Sequence, residues 1–310
     1  MSSVADQKTV ARARENLSDR LVGRRARARL IDRSVTGILW GLASIVVGIL
    51  VAFIIYTIVQ GFGVLSWQFA TTASVTGSAV GPQVFNSFYI LILSLTLCVP
   101  LGLGGAIYLE EYARQGWMTT VLRFATETLA GIPSIILGLF GFLVFVTASG
   151  AHFGYSRLAG ALTLVILNLP LMLRVFEDAL RSVPNDLREA SYAMGATKSQ
   201  TIFRVMIPTA LLQLTTGVIL TAGKMIGETA ALIFTAGSNA PINHWFSLDP
   251  LASGETLTIH LYQLQAEGLA QNAKALENGT AALLIIFLLV INLGLRWLAT
   301  AINRRLSGGR

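Results

Sequence analysis

The chain has 310 residues, of which 54% are hydrophobic and only 13% are charged, and its mean hydropathy is +0.65. A soluble domain carries about 25% charged residues, so the composition excludes a chain that folds mainly in contact with water. The formal net charge is +7, and the basic excess lies near the two ends rather than along the apolar middle.

The first element is a strongly basic tail over residues 1–34. Such clusters occur in nucleic-acid-binding segments, but this one directly precedes an apolar run, which favours a tail lying against the cytoplasmic leaflet of a membrane. The run Val35–Val59 is too long for the apolar part of a secretory signal, and it is long enough to cross about 30 Å of hydrocarbon as a helix. We therefore expect an uncleaved first transmembrane helix.

Five more apolar runs follow along the chain. They are Val84–Leu109, Phe124–Ala148, Leu158–Leu173, Thr209–Ala236 and Ala281–Ile302. Lys and Arg concentrate in every second flanking segment, beginning with the tail, which predicts about six transmembrane helices with both termini in the cytoplasm. The expected fold is an all-α membrane protein with a transmembrane domain over residues 35–305. A short amphipathic helix is expected near Thr256–Glu267, between the last two runs.

The segment between the fourth and fifth runs carries signals for two short helices. Asp186 is placed to cap the first helix, with Glu189 three residues later as its capping-box partner. Gly195 is expected to end that helix, and Thr197 to cap the second one. A short helix of small residues, held below a bundle of spans, suits docking into a groove of a soluble partner. A plain surface linker between two spans is the alternative.

The same segment resembles the EAA loop of ABC-importer permeases, with a serine in place of the second alanine. The residues that carry the resemblance are Glu189, Ala190, Ser191, Gly195, Ile207 and Pro208. The resemblance implies that residues 177–208 form a coupling loop that docks on a separate ATP-hydrolysing subunit. Glu110 and Glu111 head the preceding basic loop, and we interpret them either as a solvated helix cap or as a further contact with that subunit.

Four further strings resemble the phosphate-specific permeases of this class and occur in the right order. They are Tyr108–Ala113, Gly131–Gly141, Asn168–Pro170 and Gly227–Ala236. The last string is closer to the A-type subunit than to its C-type partner, and the resemblance covers roughly residues 84–298. It implies the type I importer permease fold, also called MetI-like, in the plasma (inner) membrane of a bacterium.

Two ionisable residues, Lys224 and Glu228, lie near the middle of the fifth run. A charged side chain at the bilayer centre costs about 2.5–3.5 kcal/mol, so such residues normally face a bundle interior or a wet path. Their spacing of four places them on one helical face, either as an ion pair that fixes packing or as part of an anion path.

Arg174 lies near the end of the fourth run. It either snorkels to the inner surface or joins the anion path, with Glu177 as its expected partner. The resemblance implies that Arg174 acts on the transported anion together with the residue at position 224. The family usually has arginine there, whereas Lys224 offers a point charge rather than a two-pronged donor.

No cofactor is expected on this chain. The string Gly195–Ser199 only echoes the end of a nucleotide-binding loop, because the glycine before the lysine and the preceding strand are both missing. The scattered histidines and the single cysteine predict neither a metal site nor a disulfide. ATP with its Mg²⁺ is therefore expected on the partner ATPase, and this chain is expected to be a non-catalytic subunit.

The predicted function is the permease half of an ATP-driven phosphate importer. The resemblance implies three protein partners, namely a homologous C-type permease subunit, a dimer of ATPase subunits and an extracytoplasmic phosphate-binding protein. Membrane lipid surrounds the chain, and no nucleic acid is expected. The alternatives are a permease for another oxyanion such as molybdate, sulfate or a phosphonate, an ion-driven secondary transporter coupled through Lys224 and Glu228, and a non-transporting scaffold.

Overall fold

The computed structural model describes residues 2–74, 79–114, 116–147, 153–240, 246–267 and 273–306. Within these ranges the chain is almost entirely helical, and the only β pairing there is an isolated bridge between Ala73 and Val80. The side chains of residues 1–31, on which the expected contact of the basic tail with a membrane surface depends, lie outside the described set.

The described helices are numbered in chain order. They are α1 Ser2–Gly61, α2 Trp67–Thr71, α3 Gly81–Ile107, α4 Trp117–Gly131, α5 Ser134–Gly141, α6 Arg157–Arg181, α7 Asn185–Ala193, α8 Lys198–Thr201, α9 Ile207–Ile226, α10 Ala230–Ile233, α11 Leu257–Glu267 and α12 Ala273–Leu306. Three π-helical segments extend them: Tyr108–Tyr112 after α3, Phe142–Thr147 after α5 and Ile202–Met206 before α9. The short helix expected near Thr256–Glu267 is confirmed by α11.

Five helical stretches in the described part of the chain are long and apolar enough to cross a membrane. They are Asp32–Gly61, Gly81–Tyr112, Arg157–Arg181, Lys198–Ile226 and Lys274–Ala301. The pair formed by α4 and α5 with its π-helical extension makes a sixth when counted as one span. The prediction of about six spans is confirmed. Residues 1–56 form a compact unit of their own, and the backbone of α1 continues without a break through residue 34.

The third predicted span, Phe124–Ala148, is not one continuous helix. Helices α4 and α5 meet at a bend of 101°. Ile132 adopts an extended conformation with ψ near 132°, as expected for the residue before a proline. Pro133 donates no backbone hydrogen bond and begins a new helix. The third predicted span is therefore a bent pair of helices with Pro133 at the bend.

The fifth predicted span, Thr209–Ala236, is also broken. Helix α9 ends at Ile226 with Gly227 as its C-cap, and the short helix α10 follows after residues 227–229. Helix α10 packs against α5, where a Cβ on Gly138 would lie 2.6 Å from the Cα of Ala231. The close approach needs glycine at position 138, and the break brings the segment 227–236 back into the bundle.

The core lies where α3, α6 and α9 pack together. Side chains buried there include Ile90, Leu95, Cys98, Leu164, Phe176 and Met225. Two glycines bring the helices close, because a Cβ on Gly102 would lie 2.7 Å from Cγ of Met172, and a Cβ on Gly217 would lie 2.8 Å from Cγ1 of Val175. Small residues at such crossings are typical of helix packing in membranes.

Arg157, at the start of α6, anchors the segment 246–256 to the bundle. Its side chain is fully buried, and Nε donates to Oδ1 of Asn86 at 2.8 Å. Its Nη1 donates to the carbonyl oxygens of Ser247 and Asp249. The guanidinium carbon lies 5.2 Å from the centroids of two aromatic rings, Phe85 and Tyr89, which adds a cation–π attraction. A single arginine thus joins α3, α6 and the segment before α11.

A second buried polar group stands beside this anchor. Glu255 accepts hydrogen bonds from Nε2 of Gln83 at 3.0 Å and contacts Nδ1 of His260 at 2.9 Å. The carbonyl oxygen of Glu255 accepts from Nδ2 of Asn86 at 3.0 Å. Asn86 therefore connects Glu255 to Arg157, so the start of α11 and the segment before it are held by one polar network.

We expect Arg157→Leu to destabilise the fold. The change leaves Oδ1 of Asn86 buried without its donor and removes the donor to two carbonyl oxygens, and each orphaned buried acceptor costs about 1–3 kcal/mol. The free energy of unfolding should fall by at least about 2 kcal/mol, measured by thermal unfolding of the purified protein in detergent. Arg296→Leu, at an exposed position, is the matched control. Identical melting curves for the two variants would contradict the anchoring role.

Candidate functional site

An open cleft of about 310 Å³ lies between α4, α6 and the end of α9, and we call it the basic cleft. It is lined by Arg123, Thr126, Glu127, Ala130, Pro170, Leu171, Leu173, Arg174, Glu177, Asp178, Arg181 and Lys224. Two of the residues singled out from the sequence, Arg174 and Lys224, therefore lie in one cavity although they are 50 positions apart. The sequence reasoning missed Arg123 and Arg181, because nothing local distinguishes them from ordinary loop-flanking arginines.

Four basic side chains and three carboxylates line the basic cleft, so its formal charge is positive by one. The carboxylates are not spread evenly. Within the described part of the chain Arg174 forms an ion pair with Glu127, at 3.2 Å from Nη1 to Oε1, and both side chains are about two-thirds exposed. Such an exposed pair contributes about 0–1 kcal/mol, so it is easily exchanged for an incoming anion. The expected pairing of Arg174 with Glu177 was wrong.

Glu177 instead forms the centre of a different cluster. Its Oε1 accepts from Nη2 of Arg123 and, at 2.9 Å, from Nη2 of Arg181. The side chain of Glu177 is only 9% exposed, whereas the two arginines are about half exposed. Arg181 also reaches Oε2 of Glu110 at 3.2 Å. One buried carboxylate oxygen thus serves two guanidinium groups that come from α4 and α6.

Lys224 lies in the last turn of α9 and is exposed to the basic cleft. A cation at the C-terminal end of a helix is favoured by the helix dipole. Because α9 ends at Ile226, Lys224 and Glu228 do not share a helical face, and that prediction was wrong. Oε1 of Glu228 accepts from the backbone N–H of Ala231 at 3.2 Å. Glu228 therefore caps α10, and it is not among the residues that line the basic cleft.

A second cleft, of about 550 Å³, adjoins the first, and we call it the adjoining cleft. Its lining consists of Leu109, Glu110, Ala113, Gly116, Thr119, Thr120, Arg123 and Arg181. Arg123 and Arg181 line both cavities. The two guanidinium groups and the Glu177 carboxylate between them therefore stand at the boundary of the two clefts.

The predicted coupling loop contains both expected helices, α7 and α8. The N-cap of α7 is Pro184, which makes no side-chain cap hydrogen bond, so the predicted capping box of Asp186 and Glu189 was wrong. Asp186 lies in the first turn instead, where a carboxylate is favoured by the helix dipole. The capping box of Thr197 with Gln200 is confirmed. Proline at position 184 explains the difference, because its fixed φ ends the preceding turn and places the helix start two residues earlier than predicted.

Gly195 ends α7 as predicted. Its φ is +80°, a conformation that a side chain disfavours. The N–H of Gly195 donates to the carbonyl of Tyr192 at 2.9 Å, and the N–H of Ala196 donates to the carbonyl of Ser191 at 3.1 Å. These two bonds form a Schellman motif. The hydroxyl groups of Ser191 and Thr201 lie 2.9 Å apart, which ties α7 to α8.

Helix α7 contributes no buried residue. Leu187, Glu189, Ala190 and Met194 are all exposed, and Met194 is 89% exposed. Exposed apolar residues on a short, well-capped helix are typical of a surface that another protein covers. Pro208 lies in the first turn of α9, directly after the π-helical segment Ile202–Met206, so it stands at the base of the span that follows the loop.

Glu111 fastens the coupling loop to the end of α3. Its side chain is 7% exposed, and Oε1 lies 2.5 Å from Nη1 of Arg188 on α7. Lys198 on α8 contacts both the carbonyl and Oε2 of Glu111, and its ammonium group lies 4.7 Å from the ring centroid of Tyr112. Nη2 of Arg188 also donates to the carbonyl of Leu180 at 2.8 Å. Glu111 is therefore a buried internal partner, so of the two roles considered from the sequence the solvated cap does not apply to it.

Comparison with known proteins places this arrangement in a family. Residues 98–308 match the model of the binding-protein-dependent transport system inner membrane component. The probable ABC transporter permease protein YqgI of Bacillus subtilis is 40% identical over 90% of this chain and 98% of its own length. The phosphate transport system permease protein PstA of Xylella fastidiosa is 34% identical over 69% of this chain and 72% of its own. These relatives confirm the resemblance seen in the sequence strings.

Solved structures share the fold. A bacterial alginate ABC transporter, in complex with a pentasaccharide-bound periplasmic protein, matches with a TM-score of 0.60 at 16% identity, over 87% of this chain and 96% of that chain. An inward-facing form of the MetNI methionine ABC transporter matches with a TM-score of 0.51 at 20% identity, over 73% and 94% of the two chains. The predicted importer-permease fold is confirmed.

We expect Glu111→Gln to loosen the coupling loop without unfolding the bundle. Breaking one side of a buried ion pair costs about 3–5 kcal/mol, because the remaining charge stays buried. Amide hydrogen exchange over residues 185–206 should accelerate by at least roughly tenfold, while exchange in the α3–α6 core stays unchanged. Glu189→Gln, which removes an exposed carboxylate from the same loop, is the control. Equal exchange rates in the two variants would show that Glu111 does not brace the loop.

Proposed function

We infer that this chain, which belongs to the family of binding-protein-dependent transport system inner membrane components, is the permease subunit of an ATP-driven importer of inorganic phosphate. It forms half of the translocation path and couples that path to a separate ATPase subunit. Relatives named as phosphate transport system permeases, at 34% to 39% identity, support phosphate as the substrate. The coupling loop and both termini lie on the cytoplasmic side in this proposal.

The observation that carries the proposal is the meeting of Arg174 and Lys224 in the basic cleft. Phosphate carries one or two negative charges near neutral pH, and an anion crosses an apolar membrane only where fixed positive charge or hydrogen-bond donors replace its water. The pair of Arg174 with Glu127 is exposed and weak, so Arg174 is available to exchange its carboxylate for phosphate. In this proposal Glu228 acts indirectly, by holding the turn that follows Lys224.

The exposed surface beside the basic cleft is evidence for a second permease subunit as a partner. No residue of α4 is buried, and Trp117 and Phe124 on this helix are 79% and 70% exposed. An apolar surface of this kind next to a charged cavity suits coverage by a homologous, C-type subunit rather than by water. The path is then enclosed by two bundles, and an extracytoplasmic phosphate-binding protein delivers the anion to it.

The exposed face of α7 supports coupling to an ATPase. The helix is capped by a Schellman motif and braced by Glu111, so a force applied at its exposed side chains reaches the end of α3 and the start of α9. We propose that two ATPase subunits dock on this loop and on its counterpart, and that they bind the ATP and Mg²⁺ while this chain binds no cofactor.

Two alternatives remain distinct from this proposal. Another oxyanion, such as molybdate, sulfate or a phosphonate, would meet the same charges in the basic cleft. An ion-driven secondary transporter with Lys224 and Glu228 as its coupling pair is disfavoured, because the family works with a binding protein and because Glu228 caps α10 instead of facing the basic cleft.

The test is purification of the chain with its co-expressed membrane and ATPase partners, followed by ATPase and uptake measurements in proteoliposomes. We expect ATP hydrolysis and anion uptake to be stimulated by the binding protein with phosphate and not with sulfate. Stimulation by sulfate alone would overturn the substrate, and gradient-driven flux without an ATPase would overturn the class of transporter.

Lys224→Gln should slow phosphate uptake by at least roughly tenfold, which corresponds to about 1.4 kcal/mol of lost anion stabilisation. Assembly with the partners should be unaffected, because Lys224 is exposed. Lys274→Gln, also at an exposed position outside the basic cleft, is the matched control and should transport normally. Unchanged uptake by Lys224→Gln would remove this residue from the path.

Glu189→Lys should separate ATP hydrolysis from transport. The change reverses a charge on the exposed face of α7 without touching a buried contact, so the fold should persist while docking of the ATPase is weakened. We expect uptake to fall by at least roughly tenfold, with about 1.4 kcal/mol of docking energy lost, while membrane insertion is normal. Glu277→Lys, far along the chain in α12, is the control. Full uptake by Glu189→Lys would exclude the docking role of this face.

A further inference from the structure

Glu177 takes no part in the proposed anion path, yet it is the most buried of the three carboxylates that line the basic cleft. Its side chain is 9% exposed, while Glu127 on the same cleft is 64% exposed. A buried carboxylate is normally held by partners that offset its lost hydration, and Glu177 has two, Arg123 and Arg181. The positions of Arg123 and Arg181 are also relevant to the route of an anion out of the basic cleft.

Arg123 and Arg181 are the two residues shared by the basic cleft and the adjoining cleft. The adjoining cleft is lined by Glu110 at the end of α3, next to Glu111, which contacts α7. It therefore lies towards the coupling loop. An anion that leaves Arg174 and Lys224 in that direction meets the guanidinium groups of Arg123 and Arg181 next.

These guanidinium groups are attractive to an oxyanion and are already occupied. Each donates to the same oxygen of Glu177, and Arg181 donates in addition to Glu110 at 3.2 Å. Two arginines face two carboxylates, so the boundary between the clefts is formally neutral. An incoming anion has to compete with a tethered carboxylate for the same donors. About half of each arginine side chain remains exposed, so the donors are reachable from both clefts.

We propose that Arg123 and Arg181 form a second oxyanion site, at the exit of the basic cleft, and that Glu177 is the tethered competitor that keeps the site weak. The anion displaces Glu177 from the two guanidinium groups as it passes, and Glu177 returns when the anion leaves. No covalent bond changes in this exchange. The inference rests on the proposed function, since it assigns a step of anion passage to residues on the far side of the basic cleft.

A competing carboxylate at this site would allow the anion to be released from Arg123 and Arg181. Two unopposed arginines in a partly enclosed cavity would hold a phosphate dianion tightly through charge-assisted, two-pronged hydrogen bonds. A carboxylate within reach lowers the net affinity, because each anion bound requires one charge-assisted pair to be given up. Glu177 is a positioning residue in this scheme, because it acts through the arginines and does not itself bind the anion.

The experiment measures equilibrium binding of radiolabelled inorganic phosphate to the complete purified permease–ATPase complex, without nucleotide and without binding protein. Removing the competitor in Glu177→Gln should lower the Kd for phosphate by at least roughly tenfold, because one negative charge near the bound anion is lost. Uptake into proteoliposomes should become slower at the same time, since release is hindered. A purely structural role for Glu177 predicts weaker binding together with slower uptake.

Two further variants make the assignment specific. Adding Arg123→Gln to Glu177→Gln should return the Kd to near its original value, because one of the two donors is gone. Glu277→Gln, which removes a carboxylate that pairs with Gln265 in another part of the chain, should leave both binding and uptake unchanged. A Kd in Glu177→Gln that is unchanged or higher overturns the proposal.

Glu110→Gln provides the measurement if Glu177→Gln does not assemble. It removes one of the two carboxylates on Arg181 and leaves Glu177 in place, so binding should tighten by roughly threefold, and unchanged binding overturns the proposal. If uptake identifies sulfate as the transported anion, the phosphate assignment fails. The same comparison made with sulfate then decides the exit site separately, with tighter binding in Glu177→Gln supporting it and unchanged binding overturning it.

Discussion

A charged side chain inside a membrane protein has to be paired with an opposite charge, hydrated, or in contact with a transported ion. The surrounding hydrocarbon provides no polar groups that could solvate it. In this chain most of the charged side chains contributed by α4, α6 and the end of α9 open onto one cleft. Glu177 and Glu110 together balance the charge of Arg123 and Arg181, while Arg174 and Lys224 line another part of the basic cleft, where Arg174 has only an exposed partner. The availability of positive charge thus changes along the cavity. Arg174 and Lys224 are accessible to an incoming anion, whereas Arg123 and Arg181 are already paired with carboxylates.

The same constraint shapes the coupling loop. Glu111 and Arg188 are both largely withdrawn from water, and their attraction fixes α7 against the end of α3, which is also where Glu110 reaches Arg181. Adjacent glutamates therefore serve two different structures, since Glu111 holds α7 and Glu110 lines the adjoining cleft. Their adjacency connects the exposed face of α7 to the boundary between the two clefts through the end of α3.

Several local expectations failed for identifiable reasons. Helix α9 ends at Ile226 although the apolar run continues to Ala236, so hydropathy alone overestimated the length of the fifth span. Pro133 breaks the third span, since proline removes a backbone donor, yet proline is tolerated within α3 and α6, where it does not end the helix. The partners of Arg174 and Glu177 were misassigned because the nearest carboxylate in sequence, within one helix, is not the nearest one across the cleft.

The amino-acid sequence by itself determined the membrane class, the count of about six spans and the glycine stop of α7, because each depends on composition, periodicity or a local backbone requirement. The family followed from the resemblance of short strings in the sequence to those of known permeases. The meeting of Arg174 with Lys224 was an expectation from family resemblance, and packing is what brings them into one cleft. Only the tertiary structure decided that Arg123 and Arg181 share Glu177, that Glu111 braces α7 and that Arg157 is buried. Apart from the bond between Glu177 and Arg181, which lie four positions apart in α6, those contacts join residues 54 to 92 positions apart, and no local pattern carries the information about which helix faces meet.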